Sequence, residues 1–150
     1  MDTLSPEKRA EQERESIVSS ILASAEREPA DKDIPSLVVF RYGSKELDLV
    51  YFADKGTFST AVEGYEDRER KPEETRFLYM AAKRAMQEIA DRSQTEIEYT
   101  LETSNEKIVP FAQSHGKEIF RWDSETKEEF EIKKRGKVDI WYFKKTFKPL

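Results

Sequence analysis

EETRFLYMAAKRAMQEIADRSQTEIEYTLETSNEKIVPFAQSHGKEIFRW, residues 73–122, is the stretch whose reading decides the fold. Its first part sets Leu78, Ala82, Ala85 and Ile89 on one helical face, with Phe77, Ala81 and Met86 beside them. The small alanines predict a helix lying close on a sheet. At Thr95 the period falls to two: Ile97, Tyr99 and Leu101 alternate with acids, which predicts a strand over 95–101. Thr103-Ser104-Asn105-Glu106 holds cap residues and a Thr-x-x-Glu box, so Asn105 is expected to open a short helix that Gly116 closes. Pro110 conflicts with that start, because an interior proline costs about 3 kcal/mol. The helix either begins later than Asn105 or is kinked. Lys117–Trp122 reads as the next strand.

Towards the N-terminus, Leu37–Phe40, Leu47–Phe52 and Phe58–Tyr65 read as three strands joined by tight turns at Gly43-Ser44 and Lys55-Gly56, an antiparallel meander. A charged loop over Glu66–Thr75 follows. Before the meander, Ser5-Pro6-Glu7 is a helix start, with a cap oxygen, a first-turn proline and an acid at the positive end of the dipole. Ile17, Val18, Ile21, Leu22 and Ala25 form its apolar stripe, so only its second half is expected to be buried. Glu28-Pro29 and the polar run to Pro35 read as a linker, dividing a charged N-terminal segment (1–34) from a domain over 35–150 within a single-domain chain. Towards the C-terminus, Asp123–Lys127 reads as a turn and Phe130–Phe147 as a hairpin through Arg135-Gly136. Val138, Ile140 and Tyr142 oppose Asp139, Trp141 and Phe143, so the last strand has apolar groups on both faces and is a candidate for a homodimer contact.

Composition limits the chemistry. A chain of 150 residues buries about 68–70% of its unfolded surface. Its apolar content of 37% is low and its charged content of 38% high, but 17 aromatic residues in periodic segments argue for a folded core inside a charged shell. There is no cysteine, which excludes disulfides, thiolate nucleophiles and zinc–sulfur sites. No apolar run approaches the roughly 18–20 residues that span a bilayer, and Met1–Arg14 lacks the apolar centre of a secretory signal. The expectation is a cytoplasmic protein with no membrane partner. The net charge of −5 hides a segment, Lys133–Lys148, that carries +6. Trp141, Tyr142 and Phe143 interleave with those lysines as in single-strand binders. The aromatics read better as core and the lysines as flanks, and the acidity of the rest opposes nucleic acid.

The order helix, meander, helix, strand, helix, strand, strand resembles the GCN5-related N-acetyltransferase fold. The local match runs from Ala90 to Phe120: Ile97-Glu98-Tyr99-Thr100-Leu101 looks like the family's fifth strand, Asn105 like the residue opening its next helix, and Gly116 falls eleven positions later as the family's glycine does. The resemblance implies an α/β (α+β) fold: a mixed, mainly antiparallel central sheet with helices packed on both faces and without the family's usual first strand. It implies an acyl-CoA-dependent N-acyltransferase, acetyl-CoA as cofactor, and a small-molecule or peptide amine as substrate.

The family's chemistry makes three demands. A glycine-rich cradle presents backbone amides to pyrophosphate at a helix N-terminus; this chain has no glycine between Tyr65 and His115, leaving Arg70, Lys71 and Arg76 as phosphate partners. Pro72 lacks a donor, and Glu73 and Glu74 would repel an anion. An acid for the departing thiolate is often a tyrosine, whose position is held by Ala112; His115 could substitute chemically, and Tyr142 and Tyr99 are other hydroxyls that read better as core-edge residues. A base for the amine would be Glu63, Glu46 or Asp48. One histidine among scattered acids gives no metal spacing, and no nucleophile elbow or Walker loop occurs. Two expectations stand: a divergent N-acyltransferase binding through Arg70, Lys71, Arg76 and Asn105, or a non-catalytic module of like topology acting in protein interaction or assembly.

Overall fold

The computed structural model describes residues 5–31, 34–63, 72–134 and 136–150, apart from the side chains of residues 30, 31, 63, 72 and 115–117. The order is α1 (Pro6–Ser24), β1 (Glu26–Asp31), β2 (Ile34–Tyr42), β3 (Lys45–Phe52), β4 (Thr57–Glu63), α2 (Pro72–Ser93), β5 (Ile97–Thr103), α3 (Val109–His115), a π-helical turn (Gly116–Phe120), β6 (Ser124–Ile132) and β7 (Gly136–Phe147). The seven strands form one sheet in the order β1-β2-β3-β4-β5-β7-β6. Among the described residues only the β4–β5 pair is parallel. This is an α/β fold with a mixed, mainly antiparallel sheet flanked by helices.

Strand alternation supplies the core. Val38, Phe40, Leu47, Leu49, Phe58, Ile97, Tyr99, Leu101, Phe143 and Phe147 are buried and form one alternating set across the sheet. Onto them α2 lays Leu78, Ala81, Ala82, Ala85, Met86 and Ile89, all buried. Its alanines keep side chains short where the backbone meets β2 and β3. Helix α1 follows the capping signal: Ser5 Oγ accepts from Lys8 N at 3.2 Å. Only Val18 and Ile21 of α1 are buried, so its N-terminal half is exposed as the stripe predicts. Arg84 of α2 ties Glu15 to it through a two-pronged ion pair.

Several sequence readings need correction. Residues 72–75, read as the end of a charged loop, are the first turn of α2. Residues 26–31 are not linker but strand β1, so a strand does precede the meander. It is an edge strand whose register shifts around Pro29, the residue without a ladder donor. Of the two alternatives for the short helix, the later start holds: it begins at Val109 rather than Asn105, which puts Pro110 in its first turn and removes the conflict. Gly116 does not close it, and 117–122 is not a strand: helical geometry continues through a π-turn to Phe120. Consecutive Ile119 and Phe120 are both buried, which a strand with one face on the core does not achieve. Finally, β6 starts at Ser124, inside the segment read as a turn.

Candidate functional site

The parallel pair β4–β5 holds for two rungs, Thr57↔Glu98 and Phe58↔Tyr99. Beyond them β4 continues on β3 and β5 on β7, so the neighbours are no longer hydrogen-bonded to each other. The lining of this opening, beside α2, is the candidate site.

The lining is aromatic and internally satisfied. Tyr99 is fully buried, and its hydroxyl lies 2.7 Å from Thr60 Oγ1, joining β4 to β5 where their pairing stops. Burial, with Tyr79 nearby, pushes the Tyr99 phenol well above the usual tyrosine range against the opposing hydrogen bond from Thr60. Phe120 packs 5.0 Å from Tyr99 and edge-on to Tyr79 at 6.0 Å. Trp122 stacks on Phe120 at 4.8 Å and donates its indole N–H to the Ala112 carbonyl at 2.8 Å. Ala112 occupies the place where the resemblance expects a hydroxyl acid, and it is completely buried.

The start of α2 is committed in the same way. Glu74, read from sequence as a repellent for phosphate, is buried and accepts from Ser44 N at 3.0 Å, capping the β2–β3 turn. Arg76 forms an ion pair with Glu118 of the π-turn, both side chains half exposed. Asn105 lies in the turn before α3. Its Oδ1 accepts from Lys107 N at 3.0 Å and its own N–H donates to Thr103 Oγ1 at 3.1 Å, a local turn-forming role. Arg70 and Lys71 lie outside the described residues, as do the side chains of His115, at the end of α3, and Glu63, at the end of β4.

Tyr142 is not brought to this site. It alternates with the core residue Phe143 and lines a shallow cavity of about 320 Å³ on the opposite sheet face, with Phe52, Lys55, Glu98, Glu102 and Lys144. Partial burial, then the carboxylates of Glu102 and Glu128, raise its phenol pKa, so it is a weaker acid and remains a neutral hydroxyl. Glu98 there is held by Lys144 Nζ at 4.0 Å. Sequence reasoning found neither the Tyr99–Thr60 bridge nor the Glu74 cap. Both join residues far apart in the chain, and only the first had a signal, an unbroken apolar alternation containing one hydroxyl.

Among the described residues no group of three or more His, Asp or Glu is placed to hold a metal ion, and no helix is long and apolar enough to cross a membrane. No family model, curated protein or solved structure matches this chain.

Proposed function

We propose that the chain is a non-catalytic module of acetyltransferase-like topology that acts in protein interaction or assembly. One observation carries this reading: polar side chains around the β4–β5 opening are bonded within the fold, to other side chains or to backbone. Tyr99 holds Thr60, Glu74 holds the Ser44 amide, Arg76 holds Glu118, and Trp122 holds the Ala112 carbonyl. Groups that serve a fold in this way are already paired before any ligand arrives, and each would have to break a bond to act on one. A C-terminal strand contact between two copies belongs to this reading.

The second reading is a divergent acyl-CoA-dependent N-acyltransferase with an amine substrate. The parting of β4 and β5 after two rungs favours it, since the opening would admit the cofactor's extended arm. Arg76 would then exchange Glu118 for pyrophosphate. Thermal unfolding with and without acetyl-CoA separates the two. A ligand at 100 times its Kd adds about 2.7 kcal/mol, a shift of several degrees for a chain of this size. The expected result is no shift at millimolar acetyl-CoA. A shift that Arg76→Ala weakens would replace the first reading with the second.

A further inference from the structure

We propose that two copies of this chain form a two-fold dimer through the free part of the β6–β7 hairpin, laid face to face; the inference rests on the interaction-module reading. β7 pairs with β5 only over Trp141–Phe147, while it pairs with β6 over Gly136–Lys144. Five rungs, Glu128↔Ile140 to Ile132↔Gly136, therefore run past the sheet as a two-stranded ribbon. At about 3.4 Å per residue it is roughly 17 Å long.

The two faces of the ribbon differ in chemistry. One carries Glu129, Glu131, Lys137 and Asp139, with Lys137 Nζ 3.2 Å from Glu129 and Lys127 Nζ 4.0 Å from Asp139. This face is laced with ion pairs and suits water. The other face carries Phe130, Ile132, Val138 and Ile140, with Phe130 and Ile132 exposed by 41% and 43%. Nothing among the described residues covers it. A lone two-stranded ribbon is marginally stable in water, so burying this apolar face would stabilise the arm as well as the contact.

Charge selects a second copy as the occupant. The apolar patch is centred on the rung Phe130↔Val138. A two-fold axis through that rung sets Phe130 against its own symmetry mate and lays the Ile132↔Gly136 rung over Glu128↔Ile140 of the other copy, so that small Gly136 meets Ile140. Four positions from Val138 towards the tip lies Lys134; four positions the other way lies Tyr142, whose strand neighbour on the same face is exposed Glu102. The axis thus brings the tip residue Lys134 of each copy over Tyr142 and its neighbour Glu102 of the other, while Ile132 lies over Glu128. Gly136 against Ile140 and Lys134 against Glu102 make the ribbon complementary to a second copy of itself, whereas an anionic lipid surface would meet Glu102 and Glu128 on this face.

Sedimentation equilibrium of the 150-residue chain at low and high salt tests this. The expected result is a monomer–dimer equilibrium with a Kd on the order of micromolar, as for a small interface, weakened by salt. Phe130→Asp raises that Kd at least about 30-fold without altering the circular dichroism spectrum. Lys134→Glu and Glu102→Lys each weaken association, and the two together restore it. A monomer at ~100 μM, a dimer indifferent to Phe130→Asp, or a charge swap that fails to restore association overturns the proposal. So does binding of phosphatidylserine vesicles without self-association. Acetyl-CoA binding by a dimer that behaves as expected would remove the non-catalytic reading alone, and a monomer blind to acetyl-CoA would remove the dimer alone.

Discussion

The hydroxyls of Tyr99 and Thr60 lie 2.7 Å apart and join β4 to β5 at the point where the ladder between them ends. A buried hydroxyl with a partner contributes about 0.5–1.5 kcal/mol, and a partner left alone loses its own share. Tyr99→Phe is therefore expected to cost about 1 kcal/mol, a fall of roughly 2–4 °C in Tm. The Tyr99 phenol is held above the ordinary range in the folded chain, so the native state keeps its proton where the unfolded state releases it. Its contribution is fully present below about pH 10 and declines as the pH rises further. Denaturant titrations of wild type and Tyr99→Phe across that range check both points; identical curves would contradict them.

Arg76 and Glu118 are half exposed, and exposed ion pairs contribute about 0–1 kcal/mol. Glu118→Ala is expected to change stability by less than about 1 kcal/mol while freeing the guanidinium. If the module is non-catalytic, the freed Arg76 gains no acetyl-CoA shift in thermal unfolding. A new shift in Glu118→Ala would identify the ion pair as a lock on a working phosphate site.

Lys83 of α2 donates to the Ile119 carbonyl at 2.6 Å, so the π-turn is pinned by a cation. Burial lowers its pKa, and the like charges of Lys145 and Arg121 lower it further. The native state therefore binds fewer protons than the unfolded state between that lowered value and the ordinary lysine value of about 10.4. In that window stability should rise with pH, opposite in sign to the contribution of Tyr99. Lys83→Met also loses the carbonyl bond, so absolute stability is not diagnostic. The slope is: the variant's stability should gain less with alkaline pH than wild type's in matched urea titrations.

How much was legible follows from how each element is held. α2 and β5 could be read because Leu78, Ala82, Ala85 and Ile89, and then Ile97, Tyr99 and Leu101, carry the period of the face they bury. β1 and β6 could not. Glu26–Asp31 is charged and interrupted by Pro29, and every residue of β6 is exposed. Such edge strands are held by backbone bonds, which side-chain periodicity does not record. The π-turn was misread because Lys117-Glu118-Ile119-Phe120 has the composition of a strand, and only the burial of both apolar residues shows otherwise. The candidate site suffered most. In a chain with 31 acids, nothing marks Glu74 as the one that reaches Ser44, or Glu118 as the one that takes Arg76.

Gly43 and Glu74 offer a sharper test of how the start of α2 is used. Gly43 has φ +60°, and a Cβ added there would lie 1.7 Å from Glu74 Oε2. A flexible carboxylate would ordinarily swing away, but this one is buried and bonded to Ser44 N. Gly43→Ala therefore carries two costs. One is the left-handed backbone, about 1–2 kcal/mol; the other is displacement of the cap, about 1–3 kcal/mol for the amide and carboxylate left unpaired. Glu74→Ala alone incurs the loss of the cap. Once Glu74 is shortened, Gly43→Ala has only the backbone cost to add, so the double variant should be more stable than the sum of the single effects predicts, by about 1 kcal/mol or more. Additive costs in a double-mutant cycle, read from urea midpoints at constant slope, would mean that the helix start is free of the turn. The carboxylate would then be available to a ligand.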